Sequence, residues 1–102
     1  MDYELNELRR EFLHEALGKV DEMQTALETH DDTSRERLAY LAHQLKGSGG
    51  SYGYQSISTE SAAVEKAVET LDGDPSAAAA IQKHVLNLRA EIDRCARELP
   101  TL

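Results

Sequence analysis

LNELRREFLHEALGKVDEMQTAL, residues Leu5–Leu27, decides the fold. Leu5, Leu8, Phe12, Ala16, Val20, Met23 and Leu27 recur at steps of three and four, which lines one side of an α-helix and does not fit a strand. A helix over residues 3–29 with one apolar stripe must bury it against something, and the rest of the chain offers three more helices of the same kind. HDDT (His30–Thr33) breaks the pattern, and Thr33 followed by Glu36 has the form of a capping box. A second helix is therefore expected over 34–52, with Leu38, Leu41, Ala42, Leu45 and Tyr52 on one face. Gly53 marks a turn and Ser56 an N-cap, opening a third helix over 56–71 along Ile57, Ser61, Val64, Val68 and Leu71. In Asp72-Gly73-Asp74-Pro75, Gly73 reads as a C-cap, Asp74 as an N-cap and Pro75 as the first residue of a fourth helix over 75–99. That helix carries Ile81, Val85, Leu88, Ile92, Cys95 or Ala96, and Leu99. Four amphipathic helices on short connections favour antiparallel neighbours. The expected fold is all-α, an antiparallel up-down-up-down four-helix bundle filling residues 1–102 as a single domain.

Composition agrees and removes whole classes of function. The chain has 102 residues, 40% hydrophobic and 29% charged, enough apolar material for one core. Trp is absent, Phe occurs once and Pro twice, which favours helix over sheet. With 19 acidic against 11 basic residues the formal charge is −8, which argues against sequence-independent nucleic-acid binding and against an anionic membrane surface. No apolar run approaches the roughly 20 residues that span a bilayer, and MDYELNELRR lacks the apolar segment of a secretory signal. A cytoplasmic location, no membrane insertion and a monomer are expected. The single cysteine, Cys95, can make neither an internal disulfide nor a multi-thiolate metal site, and reads as a small buried hydrophobe.

The informative stretch is the one that breaks helical rules. HQLKGSGGSYGY (His43–Tyr54) puts Gly47, Gly49 and Gly50 in the second helix, each costing about 1 kcal/mol relative to Ala. His43 lies about 150° from the apolar stripe and so faces solvent. Gly47 and Gly50, at i+4 and i+7, fall beside it, and Lys46 flanks it at i+3. The bland reading is a solvated histidine on a helix that ends early. A metal site fails on ligand count, since no Cys or His lies three or four residues from His43, and Glu11 with His14 points away from the core stripe. The third reading, a nucleophile displayed to a large partner, uses every feature: the glycines clear space and Lys46 can neutralise an anion on the imidazole.

His43-Gln44-Leu45-Lys46-Gly47-Ser48, followed by Gly-Gly-Ser-Tyr-Gly-Tyr, resembles the signature of the histidine-containing phosphotransfer (HPt) domain family. Leu41-Ala42, FLHEAL (Phe12–Leu17) and the four-helix length extend the resemblance over essentially the whole chain. It implies a phosphorelay intermediate: His43 accepts a phosphoryl group at Nε2 and exchanges it with the aspartate of a receiver domain, in a response regulator or a hybrid histidine kinase. It implies that Lys46 stabilises phosphoryl charge, that Gly47 gives clearance, and that Ser48 donates a hydrogen bond. The family's imidazole-orienting residue, 22 positions after the histidine, falls on Glu65, which helical phase puts about 80° off the third helix's stripe, at an edge facing a neighbour. A carboxylate at Nδ1 would fix the tautomer that leaves Nε2 free. A docking surface of Tyr40, Gln44, Gly47 and Gly50 is expected around His43, and the resemblance further implies no cofactor and a carrier rather than an enzyme, with metal and most catalysis supplied by the partner. Tyr40, one turn before His43, reads equally as an ordinary exposed aromatic.

His14, His30 and His84 are not followed by Lys-Gly and read as structural or solvated. Two alternatives remain: the phosphoacceptor domain of a chemotaxis-type histidine kinase, which shares the His-x-x-Lys-Gly turn and the glutamate, and a phosphorylation-silent helical adaptor for receivers.

Overall fold

Four apolar stripes share one core in the computed structural model, which describes residues 3–29, 31–71 and 73–100. The helices are α1 (Tyr3–Thr29), α2 (Asp32–Ser51), α3 (Gln55–Thr70) and α4 (Ala77–Glu98), with no strand among the described residues. The loop histidine His30 and Asp72 of the third connection lie outside them. Each helix packs on its chain neighbours, and α4 closes back on α1. Contacts run in opposite senses along α1 and α2, and along α1 and the C-terminal part of the chain. Glu22 of α1 meets Arg37 near the start of α2, whereas Arg9 reaches Tyr52 just past its end. Lys46 of α2 faces both Glu65 and Ser58 of α3. Glu60 of α3 meets His84 of α4, and Arg89 of α4 meets Asp21 of α1 while Arg10 reaches the carbonyl of Pro100.

The buried set includes Phe12, Val20 and Met23 of α1, Leu41 and Leu45 of α2, Ile57 and Val64 of α3, and Ile81, Leu88 and Ile92 of α4. Each such side chain contributes about 1.5–3 kcal/mol through removal from water. Leu5 and Leu8 depart from the expected stripe: they are 38% and 49% exposed. With Arg10 already level with Pro100, the turns before it have no part of α4 opposite them. Cys95 is buried, and Tyr52 is half-buried against the core.

The helix ends differ in detail from the sequence reading. Asp31, not Thr33, caps α2: its carboxylate accepts the Ser34 N–H at 2.7 Å, so the helix opens at Asp32 and Thr33 lies inside its first turn. α2 ends in a Schellman motif, with Gly53 N–H on the Gly50 carbonyl, Tyr54 N–H on the Gly49 carbonyl, and Gly53 at φ +84°. Only glycine takes that conformation without strain. Because the Tyr54 carbonyl then accepts the Ser58 N–H, α3 starts at Gln55 and Ser56 falls inside it rather than capping it. At α4, Asp74 accepts from the Ser76 N–H and hydroxyl, but three successive i→i+3 bonds tighten the first turn, so the regular helix starts at Ala77 rather than Pro75. Gly73 donates its N–H to the Thr70 carbonyl.

The α2–α3 turn is clamped onto α1. Phe12 stacks on Tyr52 at 4.8 Å and on Tyr54 at 6.1 Å between ring centres. Arg9 donates to the Tyr52 carbonyl and lies over the Tyr54 ring. The C-terminal half of α2 is thus fixed from two sides.

Candidate functional site

His43 stands in the fourth turn of α2, well inside the helix, with 66% of its side chain exposed. Its Nδ1 lies 2.9 Å from Oε2 of Glu65 on α3. The other oxygen of the same carboxylate, Oε1, accepts from the Lys46 ammonium at 2.8 Å. One carboxylate, 22% exposed, therefore holds an imidazole with one oxygen and an ammonium with the other. The Lys46 hydrogen bond is the largest influence on the Glu65 carboxyl and lowers its pKa; partial burial works in the opposite direction, and the His43 bond lowers it further. With Glu65 ionised, an imidazole that donates from Nδ1 leaves its Nε2 lone pair free.

The glycines explain how α3 comes close enough. A methyl group at Gly49 would sit 3.1 Å from Ile57 Cγ2 and 3.2 Å from the Ser58 backbone nitrogen, so this buried glycine lets the two backbones approach. Ser58 donates from its hydroxyl to the Lys46 carbonyl at 2.9 Å, adding a direct tie between the helices. Ser58 and Glu65 are seven residues apart and share a face of α3. The packing that fits Gly49 against Ser58 thereby carries Glu65 to His43. Gly47 is different: a methyl group there would meet nothing within 4 Å. The patch beside His43 is bare without any packing need for bareness. Gly50 is exposed, its added methyl only in ordinary contact with Ser58 Oγ.

The structure brings His43, Lys46 and Glu65 together and leaves Ser48 apart. Ser48 follows His43 by five residues, about 140° round the helix, and so sits on a different face of α2. Tyr40 and Gln44 lie on the other flank of His43, joined by a hydrogen bond from the Gln44 amide to the Tyr40 hydroxyl at 2.8 Å. His14 is exposed on α1. His84 is more than a solvated side chain: its Nδ1 lies 2.8 Å from Glu60 Oε2 across α3 and α4. Sequence reasoning missed the Lys46–Glu65 pair, the Ser58 tie and the His84–Glu60 pair. Only Gly49 gave a signal, as a costly helical glycine with an apolar phase. Among the described residues no group of three or more His, Cys, Asp or Glu side chains is arranged to hold a metal ion.

An exposed histidine with a carboxylate behind Nδ1, a lysine at i+3 and a bare glycine at i+4 now stands in a four-helix frame, and residues 7–97 match the family model described as Hpt domain. The chain belongs to the Hpt domain family. No curated protein and no solved structure matches it. Hpt domains carry phosphoryl groups on histidine in two-component signalling, interact with receiver domains and are generally not enzymes. No helix among the described residues of this Hpt domain is long and apolar enough to cross a membrane.

Proposed function

We propose that this Hpt domain is a phosphorelay intermediate in which His43 accepts a phosphoryl group at Nε2 from the phospho-aspartate of a receiver and passes it to the aspartate of another. The reading rests on one observation above all: an imidazole two-thirds exposed whose Nδ1 is held by Glu65. In the forward step the Nε2 lone pair attacks phosphorus, the N–P bond forms, the aspartyl O–P bond breaks and the aspartate leaves as a carboxylate. Nδ1 keeps its proton, and Glu65 balances the positive charge that the ring acquires. Lys46 rests on Glu65 and swings its ammonium to the equatorial phosphoryl oxygens, where it offsets their charge. Gly47, with open space where a side chain would project, admits the rim of the receiver's active site, and Tyr40, Gln44 and Gly50 extend the surface it covers.

The test is incubation with phosphoramidate and, separately, with a panel of receiver domains loaded by acetyl phosphate. Acid-labile label mapped to His43, and lost to a second receiver, is the expected result. Label on His14, His30 or His84 would overturn the assignment. Receiver binding without any label would make the domain an adaptor.

A further inference from the structure

The two flanks of His43 are built for different work. Towards α3 lie Glu65, which holds the imidazole, and Lys46, which donates to the same carboxylate. Towards α1 lies Tyr40, whose ring is exposed and yet held from two directions. The Gln44 amide donates to its hydroxyl at 2.8 Å, and the Arg37 guanidinium lies 5.4 Å from the ring centre. Arg37 is itself held by two hydrogen bonds, of 2.6 and 3.0 Å, to the carboxylate of Glu22 on α1.

Bundle stability does not account for this ladder. Tyr40 is 51% exposed, Arg37 and Glu22 are about half exposed, and exposed ion pairs contribute little to folding. Immobilising an exposed aromatic costs side-chain entropy that is recovered when a second surface covers it, and rigid aromatics with an arginine neighbour are the side chains that anchor protein interfaces. Position decides which surface that is. Tyr40 and His43 are three residues apart on one helix, so their Cβ atoms are about 5–6 Å apart. A protein interface covers about 800 Å² on each partner, so any protein that brings an aspartate to Nε2 also covers Tyr40.

We infer that the receiver seats on the α1 side of His43, with Tyr40 as its anchor and with Glu22, Arg37 and Gln44 as the positioning residues that hold the ring. The inference rests on the phosphoacceptor reading of His43. It also defines the chemistry of the partner. One face of the ring is taken by Arg37, so the other is open to an apolar side chain. Because Gln44 donates to the phenol oxygen, the hydroxyl proton is free for an acceptor, a carbonyl or carboxylate beside the receiver's phosphorylated aspartate.

Two measurements on the same variants test this. Labelling by phosphoramidate reports the reactivity of the imidazole, since so small a donor needs no docking surface; KM and kcat for the fastest receiver in the panel report docking and transfer. For Tyr40→Ala the expected signature is a KM rise of about tenfold or more, at least tenfold larger than any loss in labelling. Glu22→Gln, which touches no partner, should raise KM about threefold, and should add nothing in the Tyr40→Ala background, because it acts through the ring. Tyr40→Phe should keep most of the affinity and lose the part due to the hydroxyl. A KM for Tyr40→Ala within twofold of the parent would overturn the anchor. An equal Glu22→Gln effect in both backgrounds would overturn the positioning path. Failure of the parent protein to label at His43 would instead overturn the functional reading, and this inference with it.

Discussion

α3 presents two glutamates to two histidines, and only one of the pairs has the surroundings that the proposed transfer requires. Glu65 meets His43 across α2 at 2.9 Å, and Glu60 meets His84 across α4 at 2.8 Å, each through Nδ1 and Oε2. The histidines differ in what surrounds them. His43 has 66% of its side chain exposed against 31% for His84, and the free oxygen of its glutamate holds a lysine. One turn beyond His43 is Gly47, whereas one turn beyond His84 is the buried Leu88. A carboxylate behind an imidazole is therefore a common way to hold a histidine between helices. Solvent access, a neighbouring cation and a cleared approach separate the proposed acceptor from a structural clasp.

The sharpest way to break this comparison is to exchange the histidines for glutamine. His43→Gln should abolish phosphotransfer while leaving the melting temperature nearly unchanged, because its side chain is mostly exposed. His84→Gln should keep transfer and lower stability by about 1 kcal/mol, the worth of a partly buried hydrogen bond between helices. Transfer retained in the first variant, measured as acid-labile label, would remove the distinction between the pairs.

The glycines come next, because they separate clearance from packing on one helix. Gly47→Ala should leave the urea midpoint unchanged or raise stability by up to about 1 kcal/mol, and should slow transfer. Gly49→Ala should destabilise by about 1–3 kcal/mol, since its methyl group would press on the Ser58 backbone nitrogen, which has little room to yield. If both variants shifted the midpoint alike, the glycines would have a single role.

A subtler effect concerns acid. Glu65 titrates below the ordinary carboxylate value, so its contribution to stability is present above the unfolded pKa, about 4.3, and is lost as pH falls through the lower folded value. The urea midpoint should fall on acidification below about pH 4, and Glu65→Gln should flatten that limb. An identical acid limb in the variant would mean that the Lys46 bond does not contribute in solution.

The smallest expected change sits between the two pairs. The Ser61 hydroxyl is fully buried on α3 without a hydrogen-bond partner among the described residues. Ser61→Ala should be neutral or stabilising by up to about 1 kcal/mol, with transfer unaltered; a clear loss of melting temperature would show that the hydroxyl is satisfied after all.

How far the sequence reaches can be judged from the same residues. Periodicity finds Phe12, Val20, Leu45, Ile81 and Leu88 because burial repeats along each helix. It misplaces Leu5 and Leu8 because burial also depends on where the neighbouring helices stop. His43 is legible as exposed from helical phase alone. That Glu65 meets it came from the resemblance, with phase merely permitting the contact. The Lys46–Glu65 and His84–Glu60 bonds depend on the axial register between helices, which a one-dimensional pattern does not encode. The same gap hid what Gly49 packs against: its phase is apolar, but only α3 set beside it shows how little room a methyl group would have, while Gly47 stays open. Ser48 was carried by the motif, and the helical turn directs it elsewhere.

The clamped turn between α2 and α3 has a kinetic consequence. His43, Lys46 and Glu65 all belong to this one helical hairpin, with partners 22 and 19 residues apart, whereas the contacts that join α1 to α4 span 65 to 90 residues. Short loops close at lower entropic cost than long ones, so the hairpin can form before the ring of helices is complete. The geometry of the proposed site is thus local in the chain, and fraying at the outer ends of α1 and α4 can relax without passing through it.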